Sequence, residues 1–328
     1  MATTHLPLLK QWIRSLPERI QSDLKLNVPM YLHTTLRVGG PAECFHRATD
    51  RSKLVEIVKS AQDHEIPHIL LGDGSNVCVH DSGIRGLVIR NSCASAELGE
   101  TTRVDAGHSL SQLFLKSLHA GLTGLEWAVG IPGTVGGALV SNAGAYGGNI
   151  CDLVESIEVV EKGVFKIVGP DWMEFSYRDS RLRRDATRPA CLIGATLKLS
   201  SGCRAEIRRT ARDIQMQRIL KQPWEPSAGS FFKNIHDKQF ANEMPDLPAN
   251  LKSRGVVTSA FLLDRCGCKG LRIGGAAISR RHANFVVNCG GATAADIRSL
   301  ASQARARVQA RYGIDLSEEV LYLGDWPD

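Results

Sequence analysis

Two glycine-rich stretches constrain this chain more than any other feature. The longer is Gly130-Ile131-Pro132-Gly133-Thr134-Val135-Gly136-Gly137, which runs on to Ser141-Asn142-Ala143-Gly144-Ala145-Tyr146-Gly147. The shorter is Gly72-Asp73-Gly74-Ser75-Asn76. A phosphate needs several donors at short range, and backbone N–H groups serve where no side chain blocks the approach. Neither stretch is a P-loop, because no Gly-Lys-Ser/Thr follows. Neither is a Rossmann fingerprint, because the Gly-x-Gly-x-x-Gly spacing and its downstream acidic residue are missing. Two such loops from separate segments suit the two phosphates of a dinucleotide held in some other way. The competing reading, that the glycines only make tight turns, weakens when Asn76, Asn142 and Tyr146 are interleaved with them.

A chain of 328 residues implies two or three domains of about 100–200 residues each. Its 43% hydrophobic and 23% charged residues exclude disordered and fibrous classes. The net charge of +6 fits an anionic small molecule as well as nucleic acid. Nine cysteines are scattered, and Cys266-Gly267-Cys268 has no answering second pair, which argues against a zinc site and for a reducing cytosol. No apolar run approaches the roughly 20 residues that span a bilayer, and residues 1–10 lack a signal-peptide core. The expectation is a cytoplasmic enzyme with no metal.

Apolar spacing predicts an N-terminal helix through Leu9, Trp12, Ile13, Leu16 and Ile20, weakened by Pro17. It predicts further helices through Leu54, Ile57, Val58 and Ala61, through Leu110, Leu113, Phe114 and Leu118 up to Gly121, over 204–220, and through Ile297, Leu300, Ala301, Ala304 and Val308. Thr49 or Asp50 should cap the second of these, and Thr293 with Asp296 the last, which Gly313 ends. Strands are expected at 69–71, 87–89, 157–160, 192–199 and 319–323. Residues 235–256, polar and proline-containing, read as an insertion or long loop. Strands and helices mix without strict alternation, so the class is α+β.

Arg178, Arg181, Arg183 and Arg184 fall in one short segment, and Arg204, Arg208 and Arg212 share a helical face. The helical set reads as solvated surface, since nucleic-acid binding shows stronger basic bias with interleaved aromatics. Arg178 differs: it lies in a mixed polar turn, and a guanidinium fork matches a carboxylate's two oxygens. Gly229-Ser230-Phe231-Phe232-Lys233-Asn234 offers a hydroxyl, an ammonium and an amide within five residues, which suggests a reaction and not only binding.

These blocks resemble the UDP-N-acetylenolpyruvoylglucosamine reductase family. The resemblance begins at Thr34-Thr35-Leu36-Arg37-Val38-Gly39-Gly40-Pro41-Ala42 and continues through residues 72–76 and 124–147. It includes Tyr177-Arg178-Asp179-Ser180, residues 227–234, Lys269-Gly270, Gly274-Gly275-Ala276, His282-Ala283-Asn284-Phe285 and Glu319-Val320. The blocks are in family order and cover about residues 30 to 324.

The resemblance implies a two-part FAD-binding domain of the PCMH type, shared with vanillyl-alcohol oxidase-like flavoproteins, plus a C-terminal α+β substrate-binding domain. The implied boundaries are an N-terminal helical segment at 1–26, FAD subdomains at 27–98 and 99–212, and the substrate domain at 213–328. It implies non-covalent FAD, NADPH as co-substrate, and reduction of the enolpyruvyl group of UDP-N-acetylglucosamine enolpyruvate to UDP-N-acetylmuramate. FAD would be held by Arg37, Gly72, Gly74, Ser75, Asn76, Gly130, Ile131, Pro132, Gly133, Gly136, Gly137, Asn142, Gly144, Ala145 and Tyr146. Arg178, Ser230 and Glu319 match the catalytic positions, with Ser230 as proton donor. Lys221, Lys233, Asn234 and His282 would meet the UDP-sugar substrate or NADPH. No nucleic acid, membrane or obligatory protein partner is implied.

The chain departs from the family in two places. Ile235 stands where proline commonly follows Lys-Asn, and only 51 residues separate Arg178 from Ser230, so a tyrosine-bearing substrate loop is absent or short. Two other readings stay open. One is a flavin oxidase with FAD attached covalently through Cys151 or His108. The other is a non-enzymatic nucleotide- or RNA-binding protein that uses the basic runs.

Overall fold

Pro17 breaks the N-terminal amphipathic segment in two: the helices are His5–Ser15 and Glu18–Gln21, with Pro17 as N-cap of the second. The computed structural model of the chain describes residues 5–184 and 190–326. These form two units. One comprises Met1–Val28, Pro41–Asp73 and Ile84–Leu220; the other comprises Pro29–Gly40, Gly74–Gly83 and Lys221–Asp328. Each mixes helices and strands, so the class is α+β.

The first unit holds two main sheets beside the short pairs Gly144–Ala145 with Gly148–Asn149 and Leu122–Thr123 with Ser200–Ser201. In the smaller, strand Ile84–Asn91 lies between Pro41–Ala48 and His68–Leu71 and pairs in parallel with both. The helix Arg51–Asp63 makes the crossover, capped by the Asp50 side chain, which accepts from the Lys53 N–H. Leu54, Ile57, Val58 and Ala61 on its inner face are buried with Trp12, Leu16, Ile20, Leu87 and Ile89. Strand Ile84–Asn91 is buried at six of eight positions, as a strand covered on both faces must be.

The larger sheet is antiparallel, in the order Val164–Val168, Val154–Glu161, Cys191–Lys198, Thr101–Asp105, Ala96–Glu97. Helix Leu110–Ala120 packs Leu110, Leu113, Phe114 and Leu118 into its core and ends at left-handed Gly121. Helix Arg204–Lys221 contributes Ile207, Ala211 and Ile214 to that core. Its Arg204, Arg208 and Arg212 are exposed, as the solvated-surface reading requires. The helix runs unbroken through position 213.

In the second unit the long helix Ala294–Tyr312 buries Ile297, Leu300, Ala301, Ala304 and Val308. It has the expected capping box between Thr293 and Asp296 and ends at Gly313. Asp81 adds two acceptors at its start, taking the Ala294 N–H at 2.8 Å and the Ala295 N–H at 3.0 Å. Around it lie the meander Arg272–Ile273, Ala276–Ile278, Val286–Asn288 and the parallel pair Val77–Val79 with Leu321–Leu323.

Residues 235–256 are not a long loop, contrary to the sequence reading. Ile235–His236 pairs with Val256–Val257, and between them stand helices Lys238–Glu243 and Ala249–Arg254. Six-residue helices are too short to show a 3.6-residue period, so apolar spacing missed them. Their end signals were present: Asp237 accepts from the Phe240 N–H, Pro248 precedes the second helix, and Gly255 closes it at φ +64°. The strands Leu24–Pro29, Pro41–Ala48, Thr101–Asp105 and Val164–Val168 were also missed.

Candidate functional site

The glycine loops of the first unit meet at Gly72 and Thr134. A methyl group on Gly72 would stand 2.4 Å from the Thr134 hydroxyl, so only glycine permits this approach. Thr134 caps helix Val135–Val140 by accepting from the Gly137 N–H at 3.2 Å. The Leu110 N–H donates to the Gly133 carbonyl at 3.0 Å, and the Val135 N–H donates to the His108 carbonyl at 2.9 Å. The Gly136 N–H donates to Ala106 at 2.7 Å, and Ser111 Oγ to Ile131 at 2.8 Å. These bonds fix the loop from both sides. The N–H groups of Gly133 and Thr134 make none among the described residues. Gly133, at φ +119° and half-exposed beside exposed Gly130, Pro132 and Gly137, presents bare backbone, the feature an anion-binding turn requires.

The next stretch forms a hairpin. Gly144-Ala145 pairs with Gly148-Asn149, and Tyr146 and Gly147 both take positive φ at its tip, as a two-residue type I′ turn demands. Arg178 is docked against its start. Ser176 and Asp179 exchange backbone hydrogen bonds at 3.1 and 3.2 Å, which makes a tight turn with Arg178 at φ +52°. Asn142 Nδ2 donates to the Ser176 carbonyl at 2.8 Å, and Arg178 donates back to the Asn142 carbonyl at 3.1 Å and to the Gly144 carbonyl. Ser180, fully buried, ties the turn to the Val140 carbonyl at 2.7 Å. Arg181 and Arg184 are paired with carboxylates: Arg181 with Glu161, Arg184 with Glu174 and Asp179. The guanidinium of Arg178 is thus oriented by the carbonyls of Asn142 and Gly144.

Sequence reasoning missed Arg218. Its guanidinium lies 5.4 Å from the centre of the Tyr146 ring and donates to the Trp127 carbonyl at 3.5 Å. No carboxylate pairs with it among the described residues, and its Nε is buried without a partner. Burial pulls its pKa down, the Tyr146 hydroxyl opposes that, and Arg178 adds to it. Two cations within electrostatic reach of one another favour an anion between them. The signal was a fifth arginine on the 204–221 helix, four residues on from buried Ile214 and off the face of Arg204, Arg208 and Arg212.

The second unit carries Ser230 and Glu319. The Phe231 N–H donates to the Asn284 carbonyl at 2.8 Å, and the Phe231 carbonyl accepts from the Glu319 N–H at 2.8 Å. The Asn284 side chain grips the next residue twice: it accepts from the Phe232 N–H at 2.9 Å and donates to the Phe232 carbonyl at 2.8 Å. Asn76 Nδ2 donates to the Glu319 carbonyl at 3.1 Å. One hydrogen-bonded set therefore brings together the Ser230 segment, the 282–284 turn, Glu319 and the 74–76 loop. Ser230 itself is half-buried. Its neighbour Gly229, at φ +78°, would have open space around a Cβ. Glu318, beside Glu319, has its carboxyl pushed up by burial, an effect its contact with Tyr322 opposes.

The remaining sequence candidates are distributed as follows. Gly72 and residues 130–146 belong to the first unit with Arg178. Arg37, Gly74, Ser75, Lys221, Lys233, Asn234 and His282 belong to the second with Ser230 and Glu319. Arg37 takes φ +55°, and its carbonyl accepts from Asn288 Nδ2 at 3.2 Å. The Gly74 carbonyl accepts from the Thr35 N–H at 3.1 Å. The Asn234 side chain accepts from the Ser259 N–H at 3.2 Å, the first residue of helix Ser259–Arg265, which commits one of its ends to structure. Lys233 donates its N–H to Ser317 at 2.8 Å, and Lys221 ends helix Arg204–Lys221, exposed. His282 has its pKa pulled down by burial first and then by Lys269 and Lys221.

The two residues considered for covalent flavin attachment are poor nucleophiles. Both ring nitrogens of His108 are engaged, at 2.9 Å by the Ser109 carbonyl and at 3.0 Å by Lys116 Nζ. Burial pushes the Cys151 thiol up, so little thiolate is present at neutral pH. No cluster of three or more His, Cys, Asp or Glu residues among the described residues could hold a metal ion, and no described helix is long and apolar enough to cross a membrane.

A bare-backbone cradle on one α+β unit and a Ser-Phe-Phe-Lys turn on the other fit a two-domain enzyme that holds an anionic cofactor. Residues 42–163 match the FAD binding domain family, and residues 221–323 match the C-terminal domain of UDP-N-acetylenolpyruvoylglucosamine reductase. The chain is 36% identical to the UDP-N-acetylenolpyruvoylglucosamine reductase of Chloroherpeton thalassium, over 95% of this chain and 97% of that protein. It is 38% identical to that of Heliobacterium modesticaldum, over 90% of each. The crystal structure of the Thermus caldophilus reductase superposes with a TM-score of 0.72 at 34% identity, covering 92% of this chain and 98% of that one. The chain belongs to the UDP-N-acetylenolpyruvoylglucosamine reductase family.

Proposed function

We propose that the chain is a cytosolic UDP-N-acetylmuramate dehydrogenase, reducing UDP-N-acetylglucosamine enolpyruvate to UDP-N-acetylmuramate with NADPH during peptidoglycan precursor synthesis. The observation that carries this reading is the Phe231 backbone, which ties the Ser230 turn to both Asn284 and Glu319. Bound FAD would supply the relay of hydride from NADPH to the enolpyruvyl double bond. The turn from Gly130 to Gly137, where the N–H groups of Gly133 and Thr134 make no hydrogen bond among the described residues, fits the anionic part of that cofactor.

Hydride on the terminal carbon leaves negative charge on the carbon beside the carboxylate. That charge spreads onto the carboxylate oxygens as an enolate. Arg178 would neutralise it, preorganised by the carbonyls of Asn142 and Gly144, so that little reorganisation is needed as charge develops. Arg218 would add a second positive charge to the anionic ligand. Ser230 would deliver a proton to the charged carbon, completing net addition of hydride and proton across the double bond. A positioned donor of this kind contributes about 10²–10⁴-fold. Lys233, three residues on, is the candidate to stabilise the resulting alkoxide until solvent returns the proton.

His282, held neutral by burial, would contact the substrate as a hydrogen-bonding group and leave the charge to Lys221. Asn234 has its amide N–H₂ left for the same purpose. No nucleic acid, membrane or obligatory protein partner enters this reading.

Anaerobic absorbance of the purified, FAD-loaded protein tests it. NADPH should bleach the flavin, and UDP-N-acetylglucosamine enolpyruvate should restore its colour. Bleaching without return would keep the flavoprotein and discard the substrate; a colourless protein that refuses FAD would discard both.

A further inference from the structure

Trp224 is 72% exposed, more than any other large apolar side chain described. An indole carries a large apolar surface, and folded chains usually cover most of it. Here the chain presents it. Pro223 and Pro226 flank the Trp224-Glu225 pair, and their fixed φ angles stiffen the segment. The Asn288 N–H donates to the Pro226 carbonyl at 2.9 Å, and Ser227 bridges to Val287, so the segment is anchored on strand Val286–Asn288. Arg281 places its guanidinium 5.3 Å from the centre of the indole.

The surroundings are charged. Lys221, Glu225, Lys269, Arg280 and Arg281 are all exposed. Glu225 accepts from the Trp224 N–H at 3.1 Å, and Lys269 is paired with Asp264 at 2.7 Å. His282, adjacent to Arg281, feels the positive charge of both Lys221 and Lys269. The groups that touch the indole segment are charged, with Arg281 over the ring and the Glu225 carboxylate on the Trp224 N–H. An aromatic face with a guanidinium over it and further cations nearby suits a flat ring joined to phosphates.

We propose that Trp224 and Arg281 form a stacking platform for the base of a nucleotide whose phosphates face Lys221. This rests on the reading above that substrate and reductant are both nucleotides. The platform takes either the uracil of the UDP-sugar or the adenine of NADPH, and both present the same chemistry of a planar base and a phosphate chain. Stacking of one base on an aromatic side chain is worth roughly 5- to 150-fold in affinity.

Calorimetric titration of the FAD-loaded protein with UDP and, separately, with adenosine 2′,5′-bisphosphate tests the proposal. Trp224 is exposed, so Trp224→Ala should fold normally. It should weaken one of the two nucleotides by roughly 5- to 150-fold, while Trp224→Phe, which keeps a ring, stays within about threefold of the wild type. Loss confined to UDP assigns the substrate base, and loss confined to the adenine nucleotide assigns the reductant base. Equal affinities of wild type and Trp224→Ala for both nucleotides would overturn the platform and leave the proposed activity standing. Failure of the wild type to bind either nucleotide would overturn the proposed activity, and the platform with it.

Discussion

The backbone N–H of Glu319 donates to the carbonyl of Phe231 at 2.8 Å, so the C-terminal acidic residue is fixed against the residue that follows Ser230. Sequence separation between the two is large, and the contact closes through Asn284, which holds Phe231 and Phe232 from the other side. Asn284 is 4% exposed, and both ends of its side-chain amide are committed to the Phe232 backbone. It acts as a positioning residue for the Ser230 turn.

Asn284→Ala should therefore leave the Phe232 N–H and carbonyl buried without partners, at about 1–3 kcal/mol for each. Chemical denaturation should show that loss, and flavin reoxidation by substrate should slow in protein that remains folded. A stability change within about 0.5 kcal/mol, the range of an ordinary surface substitution, would contradict the role.

Gly72→Ala puts a methyl group 2.4 Å from the Thr134 hydroxyl, the atom that caps Gly137. The loop must shift or lose its cap, at about 1–3 kcal/mol. The measurement is the FAD dissociation constant, by flavin fluorescence, beside thermal denaturation. Weaker FAD binding together with a lower melting temperature is expected; unchanged values for both would show that the approach is not needed.

Arg218→Met removes a partly buried guanidinium that has no carboxylate partner among the described residues. Stability should hold or rise, because replacing a poorly compensated charge with an apolar side chain of similar volume relieves desolvation. Affinity for the anionic ligand should fall by roughly 10- to 150-fold, the worth of a charged hydrogen bond. Titration with FAD and with UDP shows which ligand loses it. Large destabilisation with both affinities intact would make Arg218 a structural residue.

The first unit holds His46, His68 and His108, and the second holds His282. Burial pulls all four pKa values down. The unfolded chain therefore takes up protons first as pH falls below about 6.5, and stability drops with it. At His46 the Asp23 carboxylate opposes burial and Lys53 adds to it, so desolvation decides the sign. The melting temperature should be lower at pH 5.5 than at pH 7.5, and His46→Leu should reduce that difference. An equal or higher melting temperature at pH 5.5 would contradict it.

Much of this was legible in the sequence where periodicity and caps agree. Asp50 and Thr293 cap the helices that follow them, and Gly121 and Gly313 end theirs. Strands were legible where a short apolar run marks them, as at 69–71 and 87–89; Pro41–Ala48 interleaves half-buried Glu43, buried His46 and exposed Arg47 with its apolar positions and reads as irregular. The Ser230 turn and the Arg178 turn could be found as polar segments. Their fixation could not, because it comes from partners such as Asn284 and Asn142, whose hydrogen bonds run to backbone groups far along the chain. Arg218 was overlooked because only its helical spacing from buried Ala211 and Ile214 sets it apart from its exposed neighbours, and an arginine at such a position reads as one more surface cation.

The most direct measurement follows the two half-reactions of Ser230→Ala separately, by anaerobic rapid mixing. Flavin reduction by NADPH should stay within about threefold of the wild type, while reoxidation by UDP-N-acetylglucosamine enolpyruvate should slow by about 10²–10⁴-fold, the contribution of a positioned proton donor. Equal losses in both half-reactions, or reoxidation at the wild-type rate, would contradict the assignment of Ser230 as the group that protonates the substrate.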